Sequence, residues 1–152
     1  MGALARLEEL GVELPSVAAP LASYIPAIQV GNQVWTSGQL PVVGGELPAT
    51  GKVGAEVDLE KAQELARTAA LNALAAIDGL VGLDRVTRVV KVVGFVASDP
   101  SFTEQAAVIN GASDFLGEVF GDAGIHARSA VGVAVLPKDS PVEIEVIVEI
   151  AE

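Results

Sequence analysis

The chain has 152 residues, 51% of them apolar, with a formal charge of −11, one His and no Cys. That length and apolar content predict one domain over 1–152 with a proper core. The absence of Cys excludes a disulfide framework, a thiolate metal site and a cysteine nucleophile, and one His leaves little for zinc or a Ser-His-Asp triad, so no metal is expected. The negative field opposes phosphate backbones and anionic lipids, so neither nucleic acid nor a membrane is an expected partner.

In chain order, Leu4, Leu7 and Leu10 fall at helical spacing and Gly11 follows where a helix would end, which predicts a short amphipathic helix over 3–10. Apolar runs in Met1–Leu10 are too short and too interrupted by charge for a signal peptide, and a cytoplasmic protein is expected. Pro15, Pro20 and Pro26 make 12–26 an extended connector, with Tyr24 inside it. Residues 27–30 and 33–37 read as a hairpin around Gly31-Asn32, and Gly38 then lets other groups approach the backbone closely. Residues 42–56 are Gly-rich, with room for one short strand near Val42-Val43. Their Gly-Lys pair lacks the spacing of a phosphate loop.

Asp58 is placed to cap a helix over 59–81 whose apolar face comprises Leu59, Ala62, Ala66, Ala69, Ala73, Leu74, Ile77 and Leu80. Residues 86–97 are too β-branched for a helix and too apolar for an edge, which predicts a central strand. Ser101-Phe102-Thr103-Glu104 reads as a capping box opening a second helix, closed by Asp122-Ala123-Gly124.

The last quarter reads as two strands around a Pro-bounded turn. In 127–135, alternation sets Ser129, Val131, Val133 and Val135 on one face, as the core side. Arg128, Ala130, Gly132 and Ala134 lie on the other. Arg128 thus shares its face with small residues. The guanidinium could offer a fork of donors to a carboxylate in the open volume, or it could pair weakly with an acid such as Glu149. Small residues on that face could equally admit a second sheet or subunit. In 142–150, Val142, Ile144, Val146, Val148 and Ile150 form one apolar face, opposite Glu143, Glu145, Ile147 and Glu149. The order of elements predicts an α+β fold, one sheet covered by two helices, and pattern alone pairs the last two strands as a hairpin.

The segment from Ala127-Arg128-Ser129 through Leu136-Pro137-Lys138-Asp139 to Val142-Glu143-Ile144-Glu145 closely resembles the C-terminal signature of the RidA (YjgF) family. Tyr24, Gly31-Asn32, Thr36-Ser37-Gly38-Gln39-Leu40-Pro41 and Asn110 follow the family's order and approximate spacing. The resemblance implies a chorismate-mutase-like fold with the last strand inserted in the middle of the sheet, and a homotrimer with ligand clefts between subunits. It implies cofactor-free hydrolysis of reactive enamines and imines, such as 2-aminoacrylate, to 2-keto acids and ammonia.

On that basis Arg128 would clamp the substrate carboxylate, backbone groups at Gly38 and Ala130 would add contacts, Glu143 would orient or activate water, and Tyr24 and Asn110 would line the pocket. Arg128 and Glu143 lie near the starts of oppositely directed strands, which separates them by roughly 20 Å within one chain at ~3.3 Å per residue and makes a neighbouring chain necessary. Ala130 stands where many relatives have Cys, and His126 where many have Pro; His126 reads as a loop side chain, not a catalytic base. Other readings are a non-catalytic trimer that binds small carboxylates, and the endoribonuclease or translation inhibitor for which some members are named. The acidic charge opposes the latter.

Overall fold

A computed structural model describes residues 2–17 and 23–152. The first helix, α1 (Ala3–Glu9), ends where Gly11 adopts φ +71°. There Gly11 N–H donates to the Glu8 carbonyl and Val12 N–H to that of Leu7, the paired bonds of a Schellman stop. Its open N-terminus is satisfied from far along the chain, Leu4 N–H donating to Asp84 Oδ1 at 3.0 Å. Residues 12–17 and 23–26 carry no regular structure; the part of the predicted connector at 18–22 lies outside the described residues.

The predicted hairpin forms as β1 (Ala27–Val30) and β2 (Gln33–Thr36), with Gly31 at φ +60° in the two-residue turn. Near Val42-Val43 there is only an isolated bridge, Val43 to Glu46, and no strand. Asp58 caps α2 (Leu59–Val81) as expected, its Oδ1 accepting from Lys61 N–H at 2.8 Å. Of the predicted apolar face, Ala62, Ala66, Ala69, Ala73, Leu74 and Ile77 are buried, whereas Leu80 is exposed.

The strand β3 (Val86–Ala97) has the predicted limits. The predicted capping box does not form, because Asp99 captures Ser101 through both its backbone N–H and its hydroxyl. The helix α3 (Gln105–Phe120) therefore begins after Glu104 without a side-chain cap. A 3-10 turn, Gly121–Gly124, leads into β4 (Ala127–Val133), and a second one, Pro137–Asp139, into β5 (Val142–Ile150).

The strands form one mixed sheet in the order β1-β2-β5-β3-β4. All pairs are antiparallel except β3 with β4, whose parallel connection runs through α3. The last two strands therefore do not form the hairpin read from their pattern: β5 sits between β2 and β3, and β4 is an edge. A turn alone cannot choose a partner; five inward apolar residues on β5, all buried, favour a central place where both edges pair and one face is covered.

The helices pack α2 against β5 and α3, with Leu65, Leu74, Ile77, Ile109, Phe115 and Leu116 fully buried among the inward residues of β3 and β5. Among the described residues no helix is long and apolar enough to cross a membrane.

The faces of β4 are reversed relative to the sequence reading. Arg128, Ala130 and Gly132 face the helices, and Val131, 44% exposed, lies on the uncovered side. The volume left by the small residues is occupied by α3. A Cβ on Gly94, register partner of Ala130, would fall 2.5 Å from the Ile109 side chain, and one on Gly132 would fall 2.9 Å from Gln105 Nε2. The small residues of β3 and β4 thus admit a helix, not another sheet.

Candidate functional site

Arg128 lies one residue into β4, on the covered side, so its side chain reaches along α3. Nη1 donates to Asn110 Oδ1 at 2.8 Å and Ser113 Oγ at 3.2 Å, and Nη2 to the Ala106 carbonyl at 3.3 Å. Ala106, Asn110 and Ser113 are spaced by four and three residues, the period that stacks side chains on one helical face. A guanidinium has five N–H donors. Three are engaged here, which leaves Nε–H and one Nη2 hydrogen. No carboxylate among the described residues lies within ion-pair distance of Arg128. Glu149, the acid considered from sequence, instead accepts from Thr87 Oγ1 at 3.0 Å. Arg128 is thus an anchored, uncompensated cation with donors to spare in a chain of formal charge −11.

Ser113 and His126 extend this cluster. Ser113 Oγ is 2.9 Å from His126 Nε2, and His126 Nδ1 is 2.6 Å from the Gly124 carbonyl. Sequence reading singled out neither residue as part of the site. The available signal was the three-residue step from Asn110 to Ser113 on a predicted helix.

The second group of residues surrounds Gly38. Its backbone runs beside β5, with Gln39 and Ile144 exchanging N–H to carbonyl bonds of 2.7 and 3.0 Å. The Glu143 carboxylate lies directly on Gly38: a Cβ there would meet Oε2 at 2.4 Å and Cδ at 2.8 Å. Only glycine leaves that space. Burial without a cationic partner pushes the Glu143 pKa above the ordinary carboxylate range, and the neighbouring Glu145 charge adds to the rise. Tyr24, 48% exposed, lines a cavity of about 450 Å³ together with Gly38, Gln39, Asn72 and Lys138.

Lys138, part of the C-terminal signature, is a further lining residue that sequence reading did not place in the site. It and Asp139 are the two non-glycine residues with positive φ among those described, at 58° and 57°. That turn is pinned by the Lys52–Asp139 ion pair and by Gly51 N–H donating to the Asp139 carbonyl at 2.9 Å. Two left-handed side-chain-bearing residues in succession cost on the order of 1–3 kcal/mol each, and such strain is concentrated at functional sites.

The predicted site residues therefore form two groups. Arg128 and Asn110 are hydrogen-bonded, with Ala130 two residues along β4; Tyr24 and Gly38 share a cavity wall, with Glu143 packed against Gly38. Arg128 is opposite Val92 and Glu143 opposite Phe95, three residues apart along β3. That is about 10 Å along the strand, half the separation expected from sequence. The side chains are kept apart by the sheet itself, because Arg128 lies on the helical face and Glu143 on the uncovered one. Among the described residues, no cluster of three or more His, Cys, Asp or Glu side chains could hold a metal ion.

Comparison with known proteins places this geometry in context. The protein TCP17 of Trypanosoma cruzi is 47% identical over 150 residues, spanning 96% of this chain and 92% of its own. A 2-iminobutanoate/2-iminopropanoate deaminase of Escherichia coli is 35% identical over 130 residues, spanning 85% and 88%. A solved protein of unknown function from Agrobacterium tumefaciens superposes with a TM-score of 0.91 at 46% identity, over 98% of this chain and 92% of that one. The family model described as "YjgF/chorismate mutase-like, putative endoribonuclease" matches residues 4–150. With a match over nearly its whole length, and with β5 inserted between β2 and β3 as the signature of its last quarter implied, the chain belongs to the YjgF (RidA) family.

Proposed function

We propose that this protein hydrolyses reactive imines and enamines bearing a carboxylate, without cofactor, at clefts between the copies of a homotrimer. Arg128 carries this reading: an anchored guanidinium with two unused donors and no acidic partner is a receptor for a carboxylate. The deaminase relative from Escherichia coli supports the reaction class. Arg128 and the Ala130 backbone of one copy face Tyr24, Gly38 and Glu143 of a neighbouring copy. This arrangement answers the placement of Arg128 and Glu143 on opposite faces of one sheet, and it covers the exposed Val131. Asn110 serves the site by holding Arg128.

Arg128 binds the substrate carboxylate and sets the imine carbon before a water molecule held by Glu143. As that water adds to carbon, Glu143 takes one of its two protons and the imine nitrogen takes the other. Glu143 returns its proton to the departing nitrogen, the C–N bond breaks, and a 2-keto acid and ammonia leave. An enamine first tautomerises to the imine, gaining a proton on carbon and losing one from nitrogen.

The test is sedimentation combined with 2-aminoacrylate hydrolysis by the wild type and Arg128→Ala. The wild type should sediment as a trimer and release ammonia. Charge-assisted hydrogen bonds contribute about 1.5–3 kcal/mol each, so the alanine variant should bind 2-oxobutanoate at least tenfold more weakly. Lysine should rescue poorly, since a point charge does not reproduce the fork. Because Arg128 also ties β4 to α3, the alanine variant should melt a few degrees lower while remaining folded. A stable monomer at micromolar concentration would refute the shared cleft, and a trimer that binds 2-keto acids without turnover would be a carboxylate-binding protein.

A further inference from the structure

We infer that His126 and Ser113 form a one-way hydrogen-bond relay that sets the orientation of Arg128, making both of them positioning residues of the carboxylate site. The direction of every bond follows from the group at its far end. Gly124 offers a carbonyl, which only accepts, so the hydrogen of the neutral imidazole resides on Nδ1, 2.6 Å away. Nε2 is then a bare acceptor, and the Ser113 hydroxyl 2.9 Å from it must donate. With its hydrogen so committed, Ser113 Oγ presents lone pairs to Arg128 Nη1 at 3.2 Å.

The end of the relay is rigid. Gly124 is buried in the turn that follows α3, packed so closely that a Cβ there would lie 2.5 Å from the Leu116 carbonyl. The relay consumes one Nη1 donor while Asn110 consumes the other, so the anchored side of the guanidinium is fully engaged and its remaining donors stay available. Without His126, the Ser113 hydroxyl would be free to turn its hydrogen toward the carbonyl four residues back in α3, the habit of serine within helices, or toward Arg128 itself. The first leaves Oγ an acceptor but no longer fixes where its lone pairs point, and the second sets a hydrogen against the guanidinium and removes this hold on it.

The functional part of this inference rests on the deaminase reading, whereas the relay has a readout of its own. The chain contains one His, so ¹⁵N imidazole spectra carry a single ring. At a pH well above the imidazole range the wild type should show the Nδ1–H tautomer, and Ser113→Ala should move the Nε2 resonance. The Nε2–H tautomer in the wild type, or an unmoved resonance, would overturn the relay. In titrations with 2-oxobutanoate, Ser113→Ala and His126→Phe should each weaken binding about three- to tenfold, with kcat for 2-aminoacrylate nearly unchanged.

The double variant should lose no more than either single one, and Ser113→Thr, which keeps the hydroxyl, should bind as the wild type does. Additive losses that follow melting temperature, with no rescue by threonine, would show a merely structural pair. If the wild type neither binds 2-oxobutanoate nor hydrolyses imines, the deaminase reading fails, while the tautomer spectra still decide the relay.

Discussion

Replacing Gly38 with alanine adds one methyl group at the point where the cavity wall meets Glu143. The new Cβ would stand 2.4 Å from Oε2, 2.8 Å from Cδ and 3.1 Å from Cγ, whereas ordinary contact begins at 3.4 Å. The carboxylate must therefore withdraw by about 1 Å. The backbone will not yield first, because Gln39 and Ile144 exchange two hydrogen bonds beside it and Ser37 N–H donates to the Pro26 carbonyl at 2.8 Å. Gly38 does not use the left-handed region, so alanine introduces no backbone strain.

A displaced Glu143 rotamer costs about 0.5–1.5 kcal/mol, and a chain of this size loses roughly 2–4 °C per kcal/mol, so the variant should melt only a few degrees lower. Catalysis should suffer more, since a misplacement of about 1 Å costs on the order of 100-fold. Ammonia release from 2-aminoacrylate, measured for Gly38→Ala in the wild-type and Glu143→Gln backgrounds, separates the causes. Gly38→Ala should add little once the carboxylate is gone. Wild-type turnover in Gly38→Ala would refute the reasoning, and an equal loss in both backgrounds would give Gly38 a role independent of Glu143.

Glu143→Gln keeps the shape but removes the charge, so turnover should collapse while affinity for 2-oxobutanoate stays within a fewfold; the reverse pattern would remove Glu143 from the chemistry. Because burial and Glu145 raise the Glu143 pKa, and the substrate carboxylate occupies the facing Arg128 of the neighbouring copy, the acidic limb of kcat should lie above that of an unperturbed glutamate. A limb at or below the unperturbed glutamate value would contradict the burial. The same shift has a sign in stability: the folded state holds the Glu143 proton at pH values where the unfolded chain has released it, so stability falls as pH rises through that interval. Glu143→Gln should accordingly melt above the wild type at neutral pH, with the gain vanishing below the ordinary glutamate pKa. Asp58→Ala removes the cap of α2 and should cost about 1 kcal/mol, or some 2–4 °C, in calorimetry, leaving 2-aminoacrylate turnover unchanged.

Much of the fold is written in local pattern. The limits of α2 and β3, the Asp58 cap, the Gly11 stop and the Gly31-Asn32 turn depend on neighbours a few residues apart, which are adjacent in the chain whatever the rest does. The family signature carried the insertion of β5 into the sheet, which turn chemistry could not.

What remained for the tertiary structure was which face of a strand is covered and which distant groups meet. Alternation in β4 defines two faces, but the apolar one holding Val131 and Val133 is uncovered, while the face of Arg128, Ala130 and Gly132 receives α3. The small residues mark where a helix approaches closely, and only the packed layer shows that. Likewise Ser113, His126 and Arg128 converge because the parallel β3–β4 connection folds α3 back over its own exit strand. Gly38 and Glu143, 105 positions apart, meet because β5 runs beside β2 and the segment that follows it. Periodicity records the chemistry of each face; the order of strands and the seating of helices decide what each face touches.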